Sequence, residues 1–257
     1  MRAAFKTTLL LLHLLTGLVL AAVVAIDKDR RWPRERLASA WSRRLLRILD
    51  IRVRVRGTSS NRPRMTVANH VSWLDISVIS SLEQTRFISK SEVRHWPVAG
   101  WLAVAAGAFY IRRGSGGAAP LIQELIPHLR AGGSVTLFPE GTTTDGSEVR
   151  DFHPRLFSAA IEAQIVTQPV ALVYATGSEG AALAPFVGED SMVSHILRLL
   201  DSDGLDVEVT YFAPLTAEGH TRESLAQAAC ELIRERVSAA GELSVPDCLG
   251  QEEPVFL

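Results

Sequence analysis

Met65-Thr66-Val67-Ala68-Asn69-His70-Val71-Ser72-Trp73-Leu74-Asp75 is the stretch on which the fold of this chain turns. Met65–Ala68 is a short apolar run of strand type, and a helical pattern over Trp73–Leu82 follows it. Ser72 is placed to cap that helix, and Asp75 three residues on completes a capping box. A strand that runs straight into a helix is half of a β-α unit. Residues between the two elements then stand at the strand's C-terminal end, where open α/β sheets hold their ligands.

The alternation continues on both sides. Ile51, Val53 and Val55 alternate with Arg52, Arg54 and Arg56, a half-exposed strand with cationic teeth. Arg86–Ser89, Ala108–Ile111, Val135–Phe138, Ile165–Val173 and Val207–Phe212 read as further strands. Pro97–Ala105, Pro120–Ala131, Pro154–Ala163, Ser191–Leu200 and Thr221–Ala239 read as helices. Strands and helices in turn predict an α/β fold, a mixed, largely parallel sheet flanked by helices. With no internal repeat or low-complexity tract, residues 50–257 are expected to form one domain behind residues 1–49.

Apolar residues are 47% of the chain and charged ones 21%, so a large core can form and disorder is not expected. The net charge of −1 hides an asymmetry. Residues 1–64 carry 15 Lys+Arg against 4 Asp+Glu, a balance of +11, and the remainder 12 against 24, a balance of −12. A basic end on an acidic body points to an anionic surface, either nucleic acid or a phospholipid leaflet. Thr7–Ile26 (TTLLLLHLLTGLVLAAVVAI) favours the leaflet over nucleic acid. Its 20 uncharged residues, as a helix, can cross about 30 Å of hydrocarbon. A cleaved signal peptide would share the basic start, Arg2 and Lys6, but has a shorter apolar core and a better cleavage site.

Trp32–Leu49 follows, with Leu37, Trp41, Leu45 and Leu49 at four-residue steps among Arg36, Arg43, Arg44 and Arg47. That is the pattern of a basic amphipathic helix lying among headgroups, and also of a surface helix packed on its own domain. The expectation is an N-terminal membrane-binding helical hairpin. Its basic residues mostly follow the apolar run, which places the body on the cytoplasmic side of the inner membrane. Within the run, His13 is expected to make an interface or bundle contact. Cys230 and Cys248 show neither metal-ligand spacing nor a disulfide framework.

The chemistry concentrates between residues 69 and 146. A neutral His70 before a helix N-terminus, with Asp75 one turn away to hold its ring N–H, makes a ready general base. Arg112-Arg113-Gly114-Ser115-Gly116-Gly117 brings two guanidinium groups to a glycine-rich loop before a helix, a combination that can grip an anion. It lacks the Lys-Ser/Thr of a nucleotide P-loop. Glu140-Gly141-Thr142 ends an apolar strand, where a glycine lets backbone N–H groups approach a ligand, although Asp145-Gly146 beyond it also fits a plain turn. His95, His128, His195 and His220 are isolated, and no metal site is expected. His153 beside Asp151 is a minor candidate for acceptor contact. No Gly-x-Ser-x-Gly elbow is present.

Asn69-His70-Val71-Ser72-Trp73-Leu74-Asp75 resembles the Asn-His-x-Ser-x-x-Asp motif of the lysophosphatidic-acid and glycerophosphate acyltransferase family. Further blocks follow in that family's order. Phe87-Ile88-Ser89-Lys90-Ser91-Glu92 resembles its Lys-x-Glu stretch, and Gly107–Arg113 its second motif. Phe138-Pro139-Glu140-Gly141-Thr142 resembles the third motif and Val166-Thr167-Gln168-Pro169-Val170 the fourth. The resemblance implies acyl transfer from an acyl thioester, acyl-CoA or acyl carrier protein, to a lysophospholipid hydroxyl, without a further cofactor. His70 and Asp75 would be catalytic, and Lys90, Arg113, Glu140, Gly141 and Thr142 would bind substrate, Arg113 at the acceptor's anionic head. The first expectation for the acceptor is 1-acyl-sn-glycerol-3-phosphate, giving phosphatidic acid. Thr143 departs from the family's Glu-Gly-Thr-Arg, and this variant also resembles lyso-ornithine-lipid and lysophosphatidylcholine acyltransferases. Outside transfer, the rivals are a membrane-bound thioesterase or lipase and a non-catalytic membrane-binding protein.

Overall fold

The apolar run Met65–Ala68 lies inside a sheet, covered on both faces, as a continuous apolar strand requires. The structure, a computed structural model, describes residues 2–27, 32–112, 117–175, 183–188 and 190–242. Its seven strands are β1 (Ile51–Arg56), β2 (Arg64–Ala68), β3 (Arg86–Lys90), β4 (Phe109–Ile111), β5 (Val135–Leu137), β6 (Val166–Tyr174) and β7 (Leu205–Tyr211). They are ordered β1-β7-β6-β2-β5-β3-β4. β6, β2, β5, β3 and β4 run parallel; β7 is antiparallel to β6, and β1 runs parallel to β7. The mixed, largely parallel sheet is thus as expected. Five strands end at one edge, and that edge carries the site.

Helices cover both faces. α1 (Arg2–Ile26), α2 (Arg34–Ile48), α3 (Leu74–Leu82) and α7 (Met192–Asp201) contribute Leu10, Leu45, Leu74, Ile79 and Leu199 to one core cluster. α5 (Ala118–Arg130), α6 (Phe157–Ala163) and α8 (Arg222–Glu242) contribute Leu125, Phe157, Leu225 and Ile233 to the other. Each such fully buried side chain is worth about 1.5–3 kcal/mol over leaving it in water. A 3-10 turn over Ser91–His95 and α4 (Ala99–Ala105) form the crossover from β3 to β4. The helix starts are signalled locally. Ser191 Oγ accepts from Ser194 N–H at 3.1 Å, and Thr221 and Ser224 cap one another reciprocally at 3.0 and 3.1 Å.

Two features of the N-terminal region add to the expectation. α2 turns its apolar side inward: Leu45, Leu46, Ile48 and Leu49 are buried, and it packs on α3 and α1. On that side it is a helix of the body, and its core is continuous with that of Ile51 and Leu74 across the expected boundary at 49/50. Part of the basic charge is also met inside the chain. Lys6 and Arg2 pair with Asp50 at 2.8 and 3.0 Å, and Arg2 reaches Asp203 at 2.7 Å. The cationic teeth of edge strand β1 face acidic teeth on β7, Arg52 with Asp206 at 2.7 Å and Arg56 with Glu208 at 2.9 Å. Opposite charges on adjacent strands hold the register and blunt the edge.

α1 keeps one stripe against the body, with Lys6, Leu10, His13 and Gly17 buried. Trp41 is stacked on His13 with centroids 4.4 Å apart, and His13 Nε2 lies 3.1 Å from the Trp41 carbonyl, the bundle contact expected for this histidine. A Cβ at Gly17 would come within 3 Å of Trp41 and Leu102, so only glycine lets the helix lie this close to α2 and α4. The opposite face exposes Phe5, Leu11, Leu12, Leu15, Val19 and Ile26.

Candidate active site

The sheet edge gathers the candidate residues. His70 follows β2, Glu140–Thr142 follow β5, Lys90 ends β3 and Arg112 follows β4. These four strands are neighbours in the order β2-β5-β3-β4, so about 14 Å separates the β2 end from the β4 end at the usual strand spacing. Arg113 and the Gly114-Ser115-Gly116 loop lie outside the described residues. At the loop's return, Gly117 passes so close to the Arg112 carbonyl that a Cβ would lie 2.1 Å from its oxygen.

Asn69 opens the turn by extending the ladder with its side chain. Its Nδ2 donates to the Leu172 carbonyl at 2.9 Å and its Oδ1 accepts from Leu172 N–H at 2.8 Å, where the β2–β6 backbone pairing stops. The chain can therefore leave the sheet at His70 without orphaning β6. His70 Nδ1 lies 2.7 Å from Asp75 Oδ2. An ionised carboxylate only accepts, so Nδ1 carries the hydrogen and Nε2, across the ring, is left as the basic nitrogen. The imidazole stacks on Phe138 at 4.0 Å and 11°, and its side chain keeps 19% exposure while Asp75 has none.

Asp75 serves both readings made from the sequence. Oδ2 also accepts from Ser72 N–H at 2.9 Å and Val71 N–H at 2.7 Å, one half of a capping box. The other half is missing, because Ser72 Oγ turns to Leu74 N–H at 3.3 Å. Oδ1 accepts from the Tyr174 hydroxyl at 2.6 Å. Burial, and then the Asp75 charge, hold the Tyr174 phenol well above its ordinary range, so it stays a donor.

Glu140 turns inward. Oε1 accepts from His70 N–H at 2.7 Å and Oε2 from Arg150 N–H at 2.8 Å. Burial raises its pKa, and those two N–H groups partly offset the rise. The carboxylate expected at the substrate thus clamps the His70 turn to the loop after β5. Thr144 adds to the clamp, its N–H donating to the His70 carbonyl at 2.8 Å. Gly141, at φ 72°, donates its N–H to the Phe138 carbonyl at 3.1 Å, so that N–H closes a turn. Thr142 beside it makes no hydrogen bond among the described residues, which leaves its N–H and hydroxyl for a ligand. Thr143 donates to the Phe186 carbonyl at 2.6 Å. His153 is exposed beside Gly141.

Two supports escaped the sequence reading. Phe138 sits inside a recognised block but nothing there marks it as the floor under an imidazole. Tyr174 follows the strand predicted to end at Val173, with no local pattern to single it out. Among the described residues, no cluster of His, Cys, Asp or Glu suited to a metal is found.

Comparison with known proteins accords with this geometry. The Acyltransferase family model matches residues 51–173. The chain is 41% identical to lyso-ornithine lipid O-acyltransferase of Pseudomonas aeruginosa, over 91% of this chain and 93% of that one. It is 30% identical to 1-acyl-sn-glycerol-3-phosphate acyltransferase of Neisseria gonorrhoeae, over 82% of this chain and 85% of that one. The crystal structure of the 1-acyl-sn-glycerophosphate (LPA) acyltransferase PlsC from Thermotoga maritima shares the fold, with a TM-score of 0.70, 20% identity and coverage of 95% and 96%. Likeness along nearly the whole length of such relatives makes this chain a member of the Acyltransferase family, an O-acyltransferase of the lysophospholipid acyltransferase type.

Proposed function

We propose that the protein transfers a fatty acyl group from an acyl thioester to the hydroxyl of a lyso-ornithine lipid at a phospholipid surface. The observation that carries the acceptor is the gradient of likeness: 41% identity over 91% of the chain to a lyso-ornithine lipid O-acyltransferase, against 30% over 82% to a 1-acyl-sn-glycerol-3-phosphate acyltransferase. A Brucella abortus protein of the first name, 33% identical over 92% of the chain, supports it. The first expectation, 1-acyl-sn-glycerol-3-phosphate, gives way accordingly.

In the mechanism, His70 Nε2 takes the proton of the acceptor hydroxyl as its oxygen attacks the thioester carbonyl. The tetrahedral intermediate collapses, the C–S bond breaks, and the thiolate recovers the proton from the imidazolium. Asp75 keeps the Nδ1–H tautomer and supports the imidazolium while it exists. Thr142, through its N–H and hydroxyl, can donate to the oxyanion. Lys90 and Arg112, at the ends of β3 and β4, meet anionic parts of the substrates, and Arg113, the next residue in the sequence, the acceptor's carboxylate. The donor is acyl-CoA or acyl carrier protein. The exposed apolar face of α1 supports attachment to the lipid surface, where the acceptor resides.

An acceptor comparison with purified enzyme tests this. At equal surface dilution, kcat/KM is expected to be higher for lyso-ornithine lipid than for lysophosphatidic acid. The reverse order would remove the acceptor assignment and leave the base in place, because both acceptors present a hydroxyl.

A further inference from the structure

Four hydrogen bonds converge on Asp75, and they are unlike in origin. The three on Oδ2 come from residues 70–72 of its own turn. The one on Oδ1 comes from Tyr174, 99 residues later, at the end of β6 on the far side of β2. The donors on Oδ2 all lie in one turn, so the second oxygen has no tie to the sheet without the tyrosine. A short bond to Oδ1 adds a second anchor against rotation about the Cβ–Cγ bond, which would carry Oδ2 out of line with the imidazole. It also draws negative charge towards Oδ1 and away from the oxygen that faces His70.

We propose that Tyr174 is a positioning residue for acyl transfer, fixing the Asp75 carboxylate in rotation and setting how strongly it supports the His70 imidazolium. The site is built for this. The tyrosine keeps its hydroxyl hydrogen because the carboxylate beside it and the surrounding protein both disfavour a phenolate. Glu140 cannot take over the task, since its two oxygens are committed to the N–H groups of His70 and Arg150. The donor also ties the base to β6, so the dyad is anchored to the strand as well as to its own helix.

The inference rests on His70 as general base, and two substitutions at position 174 test it separately from that reading. Tyr174→Phe removes the donor; site-specific 3-fluorotyrosine keeps the size and makes the donor stronger. Without the donor, charge returns to Oδ2 and favours imidazolium, so the acid limb of kcat/KM moves to higher pH. With the stronger donor it moves to lower pH. In the Phe variant, loss of orientation is expected to lower kcat about tenfold with the acceptor KM unchanged, the scale of one hydrogen bond to a charged group. An acid limb that stays put in both proteins would overturn the proposal, as would a loss confined to thermal stability. Failure of the base itself reads differently: His70→Ala would retain activity whatever is placed at 174.

Discussion

The β2-α3 unit carries a buried carboxylate at each end, and the two do different work. At the lower end Arg64 opens β2 and Glu83 follows α3, with Arg64 Nη2 2.9 Å from Glu83 Oε2. At the upper end His70 follows β2 and Asp75 sits in the first turn of α3, with Nδ1 2.7 Å from Oδ2. Glu83 stands at the negative end of the helix dipole and needs its cation; Asp75 stands at the positive end and does not. The lower pair is closed. Thr66 and Ser59 also donate to Glu83, at 3.0 and 3.3 Å, and the terminal nitrogens of Arg64 are taken by Ser59, Ser60 and Glu83. The upper pair is open, because one ring nitrogen of a partly exposed His70 makes no hydrogen bond among the described residues. A buried acid with a nitrogenous partner is therefore structure at one end and chemistry at the other. What separates them is whether the partner's spare nitrogen can be reached: Arg64 Nε is buried without a hydrogen bond, whereas the His70 ring is partly exposed.

The sharpest way to break this contrast is at Asp75. Asp75→Asn turns an amide hydrogen towards donors that now point at a carboxylate, so His70 loses its tautomer and orientation. Turnover should fall on the order of 10²–10⁴-fold. Steady-state rates set beside melting curves check it, and normal turnover would mean the upper pair is also mere structure. Glu83→Gln should do the opposite. It strands a buried guanidinium, costing about 3–5 kcal/mol of stability while leaving kcat per folded molecule near normal. Denaturant titration together with active-site counting separates the two effects.

Glu140→Gln sharpens the contrast from beside the dyad. The amide can still accept from one N–H but opposes the other, so the clamp on the His70 turn loosens. About a tenfold fall in kcat is expected with acceptor KM nearly unchanged. A rise in KM alone would return Glu140 to the substrate. The smallest effect concerns α1. Hydrogen bonds and charge from Lys6 and Arg2 hold the Asp50 carboxyl below its ordinary value, so their help to docking is present above that value and lost as pH falls below about 4. Hydrogen exchange over residues 2–10 should quicken in Asp50→Asn at neutral pH, matching the untouched protein in acid.

Much of this was legible because the information was local. Met65–Ala68, His70 and Asp75 lie within one β-α unit, so spacing alone brings acid and base together. The sheet class followed from alternating texture, and the antiparallel β6–β7 pairing fits the mixed sheet expected. What the sequence concealed was long-range. Tyr174 reaches Asp75 across 99 residues, and no pattern in Val166–Tyr174 announces it. Arg2, Lys6, Arg52 and Arg56 look like part of a surface for anions until the fold sets Asp50, Asp203, Asp206 and Glu208 against them. α2 shows the limit of periodicity: Leu45 and Leu49 mark an apolar face, but only packing on α3 says that protein covers it.

The account stands on His70 as the base of a transfer reaction, and one measurement addresses that most directly. Purified His70→Ala protein is given acyl thioester with and without lyso-ornithine lipid, and free thiol is followed beside a melting curve. The account predicts a nearly unchanged melt, because the ring is partly exposed and Asp75 Oδ2 keeps its bonds from Val71 and Ser72 N–H. It also predicts loss of lysolipid-dependent thiol release by at least about 10²-fold, with the unsubstituted protein releasing thiol only when lysolipid is present. Lysolipid-dependent release at the normal rate from folded His70→Ala protein would contradict it.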